Sequence, residues 1–165
     1  MRQLQAHPLR RGDRLTGERK PCRLARAWID GGARGNPGPA GFGVFVELET
    51  ETGIESAEIF GFLGNATNNV AEYTGLLAAL EWALLERVER LDLRSDSLLL
   101  VKQIGGQYRV KAPHLVPLFA RASSLKRRIP QVSIRHVRRE ENKRADALAN
   151  RAMDERTPLP AWLQT

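Results

Sequence analysis

The chain has 165 residues, a single cysteine and a formal net charge of +7, a length that suits one domain with a real core. No apolar run approaches the roughly 20 residues of a membrane span, and the lone Cys22 excludes an internal disulfide or a cysteine zinc site. A reducing, cytoplasmic setting without a membrane partner is the expectation.

The positive charge is unevenly placed. Residues 1–26 hold eight Lys/Arg against two Asp/Glu, whereas the other 139 residues hold 18 against 17. Residues 1–22 show no sustained hydrophobic period and no apolar core of a secretory signal. They read as a basic extension that either attracts nucleic acid through counterion release or stays solvated. The domain is expected over 23–156, with a tail at 157–165.

In chain order, "LARAWID" (24–30) reads as a short apolar strand ending in Asp30. "IDGGARGNPGPAGFG" (29–43) then packs six glycines and two prolines behind that aspartate. It reads as a flexible loop, yet it lacks both the Lys-Ser/Thr of a P-loop and the dinucleotide spacing. "GFGVFVELET" (41–50) and "GIESAEIFGFL" (53–63) form a hairpin around "ETG". Glu47, Glu49, Glu51, Glu55 and Glu58 gather there and make it a poor surface for polyanions.

"NNVAEYTGLLAALEWALLERV" (68–88) is the clearest helix, with Thr67 or Asn68 as its cap and Glu72 in its first turn. "RLDLRSD" (90–96) is a strand ending in Asp96, and "SLLLVKQIG" is a short helix stopped by Gly105-Gly106. A second amphipathic helix is expected over 114–129 with Pro113 near its start, and a strand over 131–137. The last helix, 142–156, carries Asp146 in its first turn, and Trp162 is expected to pin the tail to the core. Strands alternating with helices after a hairpin predict an α/β fold with a mixed sheet.

Singly, an Asp at a strand end or an acid in a first helical turn is ordinary capping chemistry. Jointly, four carboxylates at the carboxyl ends of parallel strands and at helix N-termini would repel one another without a positive partner. Hard divalent cations with oxygen ligands meet that need. Two of them about 3.5–4 Å apart are the usual clamp for phosphodiester cleavage.

Four blocks, "IDGGARGNPGPAGFG", "ATNNVAEYTGLLAALEWAL", "LRSDSLLLVKQIGG" and "HVRREENKRADALANRAM", resemble in that order the type 1 ribonuclease H family. The likeness covers roughly residues 24–155. It implies a ribonuclease H-like fold, with a mixed five-stranded sheet flanked by helices. It implies endonucleolytic hydrolysis of the RNA strand of RNA/DNA hybrids, leaving 5′-phosphate and 3′-hydroxyl ends. The family's metal-binding carboxylates fall on Asp30, Glu72, Asp96 and Asp146, for two Mg2+ ions or Mn2+ in their place.

By the same resemblance, Gly31, Gly32, Ala33, Arg34, Gly35 and Asn36 lie along the minor groove, where the 2′-hydroxyl distinguishes RNA from DNA. Asn68 and Asn69 are similar to residues that read sugars and base edges, and Thr67 to one that holds a DNA phosphate. For the loop before the last acid, where many relatives carry a mobile histidine, "VRREENKRAD" is similar to a compact branch with arginine there. Arg139 is therefore the first candidate and His136 the second. An arginine cannot shuttle protons, so its role would be electrostatic.

The basic, Trp-rich protrusion of some relatives is missing, leaving Arg109 and Lys111 as modest substitutes. Leu98 replaces a frequent glutamine. A monomer acting on RNA/DNA hybrid is the expectation, and the sequence leaves open whether duplex RNA is a further substrate. The alternatives are a non-catalytic hybrid- or duplex-RNA-binding module and a strand-transfer enzyme of the same fold.

Overall fold

The computed structural model describes residues 23–163. The basic extension at 1–22 and the last two residues of the expected tail lie outside the described residues. Ten elements follow in order: β1 (Leu24–Ala33), β2 (Gly38–Thr50), β3 (Gly53–Ala66), α1 (Asn68–Leu85), β4 (Arg90–Ser95), α2 (Leu98–Ile104), α3 (Val116–Arg127), β5 (Gln131–His136), a 3-10 turn (Arg139–Glu141) and α4 (Lys143–Glu155).

The five strands form one mixed sheet in the order β3-β2-β1-β4-β5. β1, β2 and β3 pair antiparallel, whereas β4 runs parallel to both β1 and β5. This is the α/β architecture that the strand–helix alternation predicts. Alternation along β1 sends Ala25, Ala27 and Ile29 into the main core beneath α1. Its other face carries Arg26, Trp28 and Asp30. Phe45 and Phe60 on that second face pack against Leu148 and Ala152 of α4.

α1 is enclosed around nearly its whole circumference rather than along one stripe. Tyr73, Leu76, Leu77, Leu80 and Trp82 are all buried, and full burial of such side chains stabilises by about 1.5–3 kcal/mol each. The Tyr73 hydroxyl donates to Gln103 Oε1 at 2.7 Å, satisfying the polar end of a core side chain. Arg121 of α3 pairs with the buried Glu81 of α1 and ties the two helices together.

Four sequence expectations are corrected. "IDGGARGNPGPAGFG" is a strand, a turn and a strand, not a long flexible loop: Ala33 still pairs with Ala40, and only residues 34–37 form the turn. Ladder hydrogen bonds to β2 hold glycines that propensity alone would leave free. Glu72 is the fifth residue of α1, outside its first turn, because Thr67 caps the helix from just ahead of Asn68. α1 ends at Leu85, after which Arg87 takes a positive φ of 54°. α3 covers 116–127, and Pro117 rather than Pro113 occupies its opening turn, where a missing N–H costs nothing. The tail does pack: Trp162 is partly buried against the main core, and Leu163 is buried in it.

Candidate active site

Asp30, Glu72, Asp96 and Asp146 line one open cleft of about 550 Å³, together with Gly31, Gly32, Ala33, Arg34, Asn68, Ser97 and Arg139. α4 supplies Ala149, Asn150 and Met153 to the same wall. The sheet register explains half of this convergence. Ile29 pairs with Ser95 across the parallel β1–β4 ladder, so Asp30, the next residue of β1, and Asp96, just past the end of β4, come side by side.

Two glycines explain the other half. Gly31 follows Asp30 in the chain, and a Cβ there would lie 2.3 Å from the Ala71 carbonyl carbon and 2.5 Å from Glu72 N. Gly43 faces Asp30 across the β1–β2 ladder, and a Cβ there would lie 2.3 Å from the Ala145 oxygen. Bare backbone on these two sides of Asp30 admits α1 and α4, and these helices carry Glu72 and Asp146. By contrast, at Gly32 the nearest atom to an added Cβ is Asn68 Oδ1 at 3.9 Å, so that position is open to the cleft. Gly31→Ala pushes α1 away from β1. It is expected to cost about 1–3 kcal/mol of stability, read as a lower melting temperature, and to weaken any activity of the cleft.

The electrostatics of the cleft are those of crowded acids. Burial pushes the Asp30 carboxyl up to about 8, and the charges of Asp96 and Asp146 add to this, while the Gly31 N–H opposes it with a 2.9 Å bond to Oδ1. Glu72 is pushed up to about 7, again by burial first; a hydrogen bond from Ser97 pulls it back, and Asp96 raises it further. Among the described residues none of the four acids is ion-paired with a Lys or Arg.

The donor set is four carboxylates; among the described residues Arg139 is the only basic side chain on the wall besides Arg34, which pairs with Asp154 at 2.6 Å. All-oxygen donors carrying this excess of negative charge fit a hard divalent cation. Among the described residues, no three His, Cys, Asp or Glu side chains close around one common point.

The other sequence candidates divide. Asn68 is on the cleft wall, where its Oδ1 accepts from Ala33 N–H at 2.7 Å and its own N–H donates to Asn36 Oδ1 at 3.1 Å. Thr67 caps α1 by accepting from Val70 N–H at 3.2 Å. Gly35, Asn36, Thr67 and Asn69 stand off the wall. Arg139 is on it and His136 is not; His136 ends β5 with Nε2 3.2 Å from the Asp96 carbonyl oxygen. Leu98 is half exposed at the start of α2, outside the wall.

Residues not singled out from sequence are Ser97, Asn142, Ala149, Asn150 and Met153. Helical spacing from Asp146 could have found the last three, since i+3, i+4 and i+7 share a face. Ser97 had the signal of a cap directly after an acid. Asn142 had none beyond its place ahead of a helix.

Residues 29–152 match the family model described as reverse transcriptase-like. The chain is 42% identical over 125 residues to the bifunctional protein Rv2228c of Mycobacterium tuberculosis, covering 76% of this chain but only 34% of that protein. It therefore spans about a third of the length of the mycobacterial proteins it matches. It is 45% identical over 143 residues to ribonuclease HI of Halobacterium salinarum, covering 86% of this chain and 71% of that one. The solved structure of LC11-RNase H1 in complex with an RNA/DNA hybrid superposes with a TM-score of 0.69 at 40% identity, covering 81% of this chain and 97% of that one. With its sheet order, its two helical layers and these relatives, the chain belongs to the type 1 ribonuclease H family.

Proposed function

We propose that this chain is an endoribonuclease that hydrolyses the RNA strand of RNA/DNA hybrids with divalent cations. The observation that carries the reading is the convergence of four carboxylates in one cleft without an ion-pair partner among the described residues. Asp30, Glu72, Asp96 and Asp146 would hold the cations, Mg2+ or Mn2+. When bound, such a pair supplies an activated water and charge stabilisation for the leaving oxygen. Cleavage of that kind leaves 5′-phosphate and 3′-hydroxyl ends.

The chain's own residues do the rest. Ser97 donates to Glu72 and so favours the charged form that a cation requires. The bond from Gly31 N–H does the same for Asp30. The open edge at Gly32, with Ala33 and Asn68 beside it, presents backbone and amide groups to the sugar edge of a bound duplex, where a 2′-hydroxyl can donate or accept. Thr67, Asn69, Gly35 and Asn36 extend that edge beyond the cleft. Arg139, exposed on the wall, pulls the scissile phosphate toward the acids by charge. His136 sits beside Asp96 and is the second candidate for assisting product release.

Arg139→Ala is expected to lower kcat/KM about tenfold, equivalent to about 1.4 kcal/mol, while Arg139→Lys keeps the charge and recovers part of the loss. Steady-state kinetics on a labelled hybrid measures both. The function is tested by a substrate panel of hybrid, duplex RNA, duplex DNA and single strands, each with and without Mg2+. The reading predicts metal-dependent cutting of the RNA strand of the hybrid. Binding of hybrid without cutting in any metal would leave a binding module instead.

A further inference from the structure

Asn142 joins three segments that carry cleft residues. Its side chain is buried, 1% exposed. It sits at the N-cap of α4, where an asparagine ordinarily accepts from the first helical N–H groups, yet it makes no side-chain cap bond. Nδ2 instead donates at 2.9 Å to the Ile29 carbonyl, in the peptide that leads into Asp30. A carbonyl only accepts, so the amide orientation is fixed. Oδ1 is thereby left buried with no hydrogen-bond partner. A forfeited cap and an orphaned acceptor both cost stability, and a side chain kept only to hold the fold together would avoid them.

The backbone of Asn142 completes the junction. Its N–H donates to the Arg139 carbonyl at 3.1 Å, and its carbonyl accepts from Asp146 N–H at 3.1 Å. The stretch of β1 with Asp30, the turn with Arg139 and the helix turn with Asp146 thus meet on one residue. Asp30 and Asp146 repel each other, so a tie between their backbones opposes their separation.

We propose that Asn142 is a positioning residue that fixes Asp30 against Asp146 and thereby sets the affinity of the cleft for divalent cations. This rests on the reading that these carboxylates hold cations. The test uses the full chain and Mn2+ alone, with free Mn2+ followed by electron paramagnetic resonance and melting temperature measured in parallel. Asn142→Leu keeps the volume and removes the orphaned acceptor but also takes the donor from the Ile29 carbonyl, so it is expected to fold with a lowered melting temperature. Its half-saturating Mn2+ is expected to rise about 10- to 100-fold. Asn142→Ala serves should the leucine variant not fold, and Val46→Ala in the core is the destabilised control with unchanged Mn2+ affinity. A wild-type chain that binds Mn2+ beside folded Asn142 variants that bind it equally well would overturn the proposal alone. A wild-type chain that binds no Mn2+ would overturn the cation reading and this inference with it.

Discussion

Asp30→Asn is expected to abolish the proposed hybrid cleavage and, at pH 8 and above, to raise the melting temperature of the metal-free protein over that of the wild type. Both effects come from one carboxyl. Burial, then the charges of Asp96 and Asp146, raise Asp30 from its ordinary 3.8 to about 8. A carboxyl whose folded pKa exceeds its unfolded value binds more protons in the folded state. Its contribution is fully present below about pH 4 and is lost as pH rises toward 8. The wild type therefore weakens across that window without a cation. An amide of the same shape carries no charge to desolvate or repel, so the substituted chain escapes that loss, and the two melting curves converge near pH 4.

Function moves the other way, because an amide oxygen holds a divalent cation far less strongly than a carboxylate does. Loss of several kcal/mol of transition-state stabilisation corresponds to at least a ~10³-fold fall in kcat/KM. Calorimetry from pH 4 to 9 and cleavage of a labelled hybrid check the pair of outcomes. A variant that cuts at near the wild-type rate removes Asp30 from the site. One that melts below the wild type at pH 8 contradicts the crowding of the acids.

Mg2+ is expected to stabilise the wild type by an increment that grows between pH 6 and pH 9. Cation ligands must be deprotonated, and Glu72 and Asp30 lose their protons around 7 and 8. Metal-free stability falls over this range while the metal-bound protein, whose ligands are already deprotonated, stays level, so the two melting curves diverge. At a concentration 100 times its Kd, a ligand of the native state adds about 2.7 kcal/mol, or roughly 5–10 °C for a chain of this size. A matched concentration of monovalent salt does not reproduce the pH trend. An increment that is equal at both ends of the range would place the bound cation away from these two acids.

Much of this site was legible in the sequence because acids at strand ends and near helix starts have few reasons to coincide. The meaning of the glycines was less accessible. From the sequence, Gly31 belongs to a loop that approaches a substrate; in the fold it lets α1 touch β1, and Gly43 does the same for α4. Close approach leaves the same trace in a sequence whichever backbone is doing the approaching. The sequence sets Glu72 in the first turn, one residue off, because Thr67 and Asn68 are equally good caps on paper, and only the fold gives Thr67 the bond to Val70 and Asn68 the bond from Ala33. Asn142 was invisible for a stronger reason. Its partner, Ile29, lies 113 residues away, and no local pattern encodes a bond of that span.

The proposed function requires four carboxylates that share divalent cations, and anomalous diffraction from crystals loaded with Mn2+ measures this directly. Two peaks about 4 Å apart, within ligating distance of Asp30, Glu72, Asp96 and Asp146, are the expected result. Mn2+ that binds elsewhere, or a cleft that stays empty of it in crystals of active protein, would contradict it.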